Sequence, residues 1–137
     1  MLAAQYRLSS VAFTDWLEKP ELVSRVARAD VCLGSFGTTP QSLMTVQNKI
    51  YEGMAMAKAV ITGDSPAVRQ VLQDGEHIYL CERANPQALA EAITSLRDNP
   101  ALLIHLGRNG HHVFEQEFNL AHNGKRLVAH LQEALAQ

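Results

Sequence analysis

The sequence is short of most features that point directly to a function, and each shortage removes a class. Cysteine is scarce: Cys32 and Cys81 are the only two, and each sits inside an apolar run. That suits reduced core thiols rather than the disulfide framework of a small secreted protein. Charge of one sign is also lacking, since 12 basic and 14 acidic residues are scattered along the chain for a net charge of −2. No broad basic surface for nucleic acid or for an anionic membrane is expected. No apolar run approaches the ~20 residues that cross a bilayer. Met1 to Leu8 have neither the basic start nor the long apolar centre of a signal peptide, so a soluble, cytoplasmic location is the expectation. Ser35 and Ser65 lie outside any Gly-x-Ser-x-Gly elbow, which argues against hydrolase chemistry. Six histidines include His105, His111 and His112, but no carboxylate or cysteine completes a familiar ligand set around them. Neither a metal nor a cofactor is expected.

What is present is enough apolar content, 47% of 137 residues, for the core of one domain. Short β-rich runs alternate with helix-period segments, the pattern of a parallel sheet with crossover helices. Strands are expected at Val11–Phe13, Val31–Ser35, Ala59–Thr62 and Ile78–Cys81. A first helix follows Pro20 and runs to about Arg28. A second spans Val46 to about Ala57, with Val46, Ile50, Met54 and Ala57 on one stripe facing the sheet. A third starts near Pro66, carries Val68, Val71 and Leu72, and stops at Asp74-Gly75. From Pro86 onward the pattern is helical, broken at Asn99-Pro100, with Asn119 as cap of a last helix bearing Leu127, Leu131 and Leu135. With no repeat or linker, the chain reads as one unit: an α/β layer over about residues 9–82 and a helical tail over about 86–137. Lys125 and Arg126 on that tail are too few for stable membrane attachment, and packing on further protein is the expectation.

In open α/β sheets ligands bind beyond the carboxyl ends of the strands. The most informative such junction follows Val31–Ser35 and reads Gly34-Ser35-Phe36-Gly37-Thr38-Thr39-Pro40. Gly34 and Gly37 allow close approach of the backbone, and free N–H groups at a helix start favour phosphate. On the helix that follows, Asn48, Lys49 and Glu52 share a face turned from the Val46–Ile50–Met54 stripe. A carboxylate there can accept hydrogen bonds from the vicinal hydroxyls of a ribose, and a lysine can meet a phosphate. Spacing alone fits an ordinary solvated face equally well.

Four segments carry a family resemblance. They are Asn48-Lys49-Ile50-Tyr51-Glu52-Gly53-Met54-Ala55, Ala59-Val60-Ile61-Thr62-Gly63-Asp64, Val71-Leu72-Gln73-Asp74-Gly75-Glu76 and Asn85-Pro86-Gln87-Ala88-Leu89-Ala90-Glu91-Ala92-Ile93. In order and spacing they resemble the C-terminal domain of family 4 (group 1) glycosyltransferases of the GT-B fold. The resemblance implies a partial Rossmann-like parallel sheet of about four strands with crossover helices. It also implies a retaining transfer from a UDP- or GDP-sugar without a metal ion. Glu52 matches the glutamate that holds the donor's ribose. A second family glutamate, eight positions earlier, is replaced by Met44, which leaves the backbone amides from Phe36 to Thr39 as the contact for the donor's sugar. Asn48 and Lys49 match a Pro-Asn-Lys-x-x-Glu subgroup, with Gln47 in place of the proline. The nucleotide-binding set is therefore Glu52, Lys49, Asn48, Gly37, Thr38 and Thr39, with no catalytic residue among them.

The family's domain normally begins with two further strands, whose loops supply an arginine and a lysine for the departing diphosphate. Losing such preorganised groups typically costs ~10²–10³ in rate each, so the chain alone is expected to be catalytically incompetent. Without those strands, Val31–Ser35 presents an open edge. A homodimer through that edge or by strand exchange is expected, or else Val11–Phe13 fills the place. The alternative reading is a non-catalytic oligomerisation or regulatory module that keeps the fold without the ligand.

Overall fold

All five prolines open helices. Pro20, Pro40, Pro66, Pro86 and Pro100 each stand at a helix's first or second position, where the fixed φ helps and the missing N–H costs nothing. Four follow a capping side chain. Thr39, Ser65, Asn85 and Asn99 each accept a hydrogen bond from a first-turn amide, at 3.3, 3.3, 3.0 and 3.1 Å. These punctuation marks set the element order.

The computed structural model describes residues 2–136. Along the chain run α1 (Leu2–Gln5), α2 (Lys19–Arg28), β1 (Val31–Leu33), α3 (Pro40–Met44), α4 (Asn48–Ala55), β2 (Ala59–Gly63), α5 (Pro66–Arg69), β3 (Tyr79–Cys81), α6 (Pro86–Asp98) and α7 (Pro100–Val113). A π-helical turn at Phe114–Phe118 leads into α8 (Leu120–Leu135). The strands form one parallel sheet in the order β1-β2-β3, with Cys32 opposite Val60 and Thr62 opposite Leu80.

The sheet's period of two assigns each side chain to a face. Val60 and Leu80 pack with Ile50 and Met54 of α4, Val68 of α5, Leu72 and Ile78. On the opposite face Ala59, Ile61 and Cys81 pack with Ala92 and Leu96 of α6 and Leu106 of α7. Every residue of β2 is buried, as a central strand covered on both sides must be. α7 runs past both clusters, and Val113 at its end packs on the α4 side with Phe114 and Phe118 of the π-helical turn. There the Phe118 ring sits 5.1 Å from that of Tyr51.

One expected strand does not form. Val11–Phe13 lies in an irregular stretch with Val11 and Phe13 exposed, so the sheet has three strands rather than four and the place beside β1 is not taken by this segment. Three apolar residues with no neighbour to bond to do not make a strand. The second helix is shorter than its apolar stripe suggests. Val46 belongs to the link after α3, a helix the sequence pattern missed, and Ala57 leaves α4 with a left-handed φ of 54°. The third is a single turn, which leaves Val71 exposed. On α6 Ile93 is exposed, and Ala92 takes the core position.

Candidate functional site

The loops leaving the carboxyl ends of all three strands meet at one edge of the sheet, and the loop after β1 is the most tightly held. The Ser35 N–H donates to Thr62 Oγ1 at 3.1 Å, and the same hydroxyl donates back to the Ser35 carbonyl at 3.2 Å. That carbonyl also accepts from the Gly63 N–H at 3.0 Å. The Phe36 carbonyl accepts from the Ala84 N–H at 3.0 Å. The Gly37 carbonyl accepts from Arg83 Nη1 at 2.6 Å and from Ser42 Oγ at 2.7 Å. Gly34 admits this arrangement, because a Cβ there would lie 2.5 Å from Thr62 Cβ and 3.2 Å from Ile50 Cγ1, both on fully buried residues.

These bonds orient the amides as well. In a trans peptide the carbonyl and the following N–H point in opposite directions, and the chain contains no cis peptide among the described residues. With the carbonyls of Ser35, Phe36 and Gly37 engaged by donors in β2, by donors after β3 and by Ser42, the N–H groups of Phe36, Gly37 and Thr38 face the other way. None of the three has a protein partner among the described residues. Backbone N–H groups left without a protein partner are available to an anion.

The residues expected at the site fall on two neighbouring elements. Gly37 and Thr38 are exposed in the β1 loop, and Thr39 caps α3. Asn48 and Lys49 form the exposed first turn of α4, with Glu52 exposed one turn further on. Neither Lys49 nor Glu52 takes part in an ion pair among the described residues. Glu52 looks into a groove of about 330 Å³ between α4 and α2, beside Leu22, Val23 and Val26. No hydrogen bond joins the Asn48–Lys49–Glu52 face to the Gly37–Thr39 loop among the described residues. Gln47, standing where the resembling subgroup has proline, ties the α3–α4 link together, its Nε2 3.1 Å from the Thr45 carbonyl and 3.3 Å from that of Ser42.

Charge gathers at the other two strand ends. Arg69 holds Asp64 through two bonds of 2.6 and 2.8 Å, which keep the Asp64 carboxyl below the ordinary carboxylate range, with Arg83 adding to the effect. The thiols of Cys32 and Cys81 are pushed up by burial, the opposite of what a nucleophilic cysteine needs. His105 sits 3.0 Å from Glu76, which Asn109 also bonds at 2.6 Å, fastening α7 to the turn before β3. Thr62 and Arg83 were not among the expected site residues. Their partners lie 27 and 46 positions away, a distance that no local pattern spans.

The sequence matches the model of the family described as glycosyl transferases group 1 over residues 2–99, and no curated protein sequence matches it significantly. Among solved structures it is similar to sucrose-phosphate synthase from Thermosynechococcus elongatus, with a TM-score of 0.82 at 23% identity over 98% of this chain and 33% of that one. HepE of Anabaena in complex with UDP-glucose gives a TM-score of 0.81 at 18% identity over 96% and 35% of the two chains. The C-terminal domain of LpcC, a glycosyl transferase group 1 family protein of Francisella tularensis, gives 0.67 at 20% identity over 87% and 60%. The chain thus spans about a third of the length of the two larger relatives. It has the fold of part of a GT-B glycosyltransferase, and it belongs to the group 1 glycosyl transferases.

Proposed function

We propose that this chain is the nucleotide-sugar-binding portion of a retaining glycosyltransferase and binds its UDP- or GDP-sugar without transferring the sugar on its own. The observation that carries this reading is the row of outward amides at Phe36, Gly37 and Thr38, one element before a helix that presents Asn48, Lys49 and Glu52 to solvent. The amides receive the diphosphate and sugar end of the donor, Lys49 adds the counter-charge, and Glu52 accepts from the ribose hydroxyls. HepE has been crystallised with UDP and with UDP-glucose, which makes uridine nucleotides the first to try. Nothing in this reading assigns a catalytic residue.

Isothermal titration with UDP, GDP and UDP-glucose tests the reading. Binding to at least one is expected, and Glu52→Ala should weaken it about tenfold, the worth of one hydrogen bond to a charged group. No heat and no thermal shift at millimolar concentrations of all three would overturn it. The second reading, a non-catalytic oligomerisation module, is favoured by the open outer edge of β1, where Leu33 is exposed. A homodimer through that edge is compatible with either reading, and sedimentation equilibrium with and without nucleotide measures whether the two coexist.

A further inference from the structure

One side chain joins the loops that follow all three strands. Arg83, just past β3, donates from Nε to the Asp64 carbonyl after β2 at 2.6 Å and from Nη1 to the Gly37 carbonyl after β1 at 2.6 Å. Its stem crosses the end of β2, where a Cβ on Gly63 would lie 2.5 Å from Arg83 Cγ and 3.1 Å from Nε. Nη2 is buried and has no partner among the described residues. This is therefore not a solvated arginine, and its charge is not spent on the nearest carboxylate, because Asp64 is held by Arg69.

We propose that Arg83 is a positioning residue for the donor site, fixing the Gly37–Thr38 peptide so that the Thr38 N–H, and with it the amide row, faces the ligand. The role of that row in binding rests on the nucleotide-sugar reading above. The clamp itself does not. Among the described residues Ser42 is the only other donor to the Gly37 carbonyl, and its single hydroxyl proton is shared with the Thr39 carbonyl at 2.9 Å. Arg83 is the charged donor committed to Gly37, and such bonds are roughly twice as strong as neutral ones. The ladder between β1, β2 and β3 does not use the guanidinium, so its removal frees the loop while leaving the sheet paired.

Two-dimensional amide spectra of the ligand-free protein test the clamp, and a UDP titration of the same samples tests its consequence. In the wild type a resolved, slowly exchanging Arg83 Nε–H resonance is expected. Arg83→Met keeps much of the stem and removes the donors. It should move or broaden the Gly37 and Thr38 amides while those of Val60 and Ile61 stay in place, and weaken UDP by about tenfold. Arg83→Lys, which keeps the charge and can reach one carbonyl, should recover part of both. Unmoved Gly37 and Thr38 resonances in a folded Arg83→Met protein would overturn the proposal, as would a rapidly exchanging Nε–H in the wild type. Wild-type UDP affinity in the variant would overturn the link to binding. Should Arg83→Met fail to fold, Arg83→Lys decides: an intermediate shift of the two amides supports the clamp, and wild-type positions overturn it. If the wild type binds no nucleotide, the donor reading fails, and the spectra still judge the clamp.

Discussion

The middle of the chain and its two flanking helices are built from similar amphipathic patterns, yet they differ in what they bury. From β1 through the π-helical turn, apolar side chains close two clusters on either side of β2. α2 and α8 contain no buried residue. Most of the large apolar side chains that remain exposed lie in or beside them, among them Phe13, Trp16, Leu22, Val23, Leu127, Leu131 and Leu135. An apolar stripe on a helix ordinarily faces protein that covers it. It does not state which protein, and the clustering shows only that the middle provides its own cover. α8 is held by its cap, where Asn119 accepts from the His122 N–H at 2.8 Å, and by its junction with the π-helical turn.

The largest expected effect sharpens this contrast directly. Leu106 is fully buried against β2, so Leu106→Ala should cost about 2–5 kcal/mol in urea denaturation. Leu131→Ala on the half-exposed stripe of α8 should stay within about 0.5 kcal/mol. Equal losses at the two positions would break the comparison, because α8 would then carry packing energy that its exposure denies.

A smaller effect is expected where the core meets the candidate site. Thr62 is fully buried and both accepts from and donates to the Ser35 backbone. Thr62→Val keeps the shape and strands the Ser35 N–H, a loss of about 1–3 kcal/mol. The loop it holds carries the amide row, so UDP affinity should fall further than the melting temperature alone predicts. A variant as stable as the wild type would show that Gly63, which also bonds Ser35, suffices to hold the loop.

These positions also mark how far the sequence could be read. The strands at Val31, Ala59 and Tyr79 were legible because apolar runs stand between clear punctuation, such as Asp30 before β1 and Asp74-Gly75 before β3. Helix starts were legible from Pro20, Pro66, Pro86 and Asn99-Pro100 for the same local reason. Val11–Phe13 failed because a strand is a property of a pair, and nothing in three residues says whether a partner exists. At the candidate site, Asn48, Lys49 and Glu52 could be placed on one exposed face by helical spacing. Thr62 and Arg83 could not be found, since their importance comes from carbonyls brought close only by the parallel register of β1, β2 and β3.

The smallest effect probes a local cost inside the well-packed region. α4 ends with the Ala57 N–H bonded to the Met54 carbonyl and the Lys58 N–H to the Gly53 carbonyl, both at 3.0 Å, which places Ala57 in the left-handed region at φ 54°. This is the helix terminus that glycine usually occupies. For alanine the conformation costs roughly 1–2 kcal/mol, of which a glycine's greater freedom in the unfolded chain takes back about half. Ala57 is exposed, so its methyl contributes little packing to offset the cost. Ala57→Gly should therefore raise stability by about 0.5–1 kcal/mol in urea denaturation, a gain in a region where nearly every other substitution is a loss. A destabilised variant would mean that the turn from α4 into β2 is held by the alanine side chain, and that the middle of the chain packs more completely than its exposures indicate.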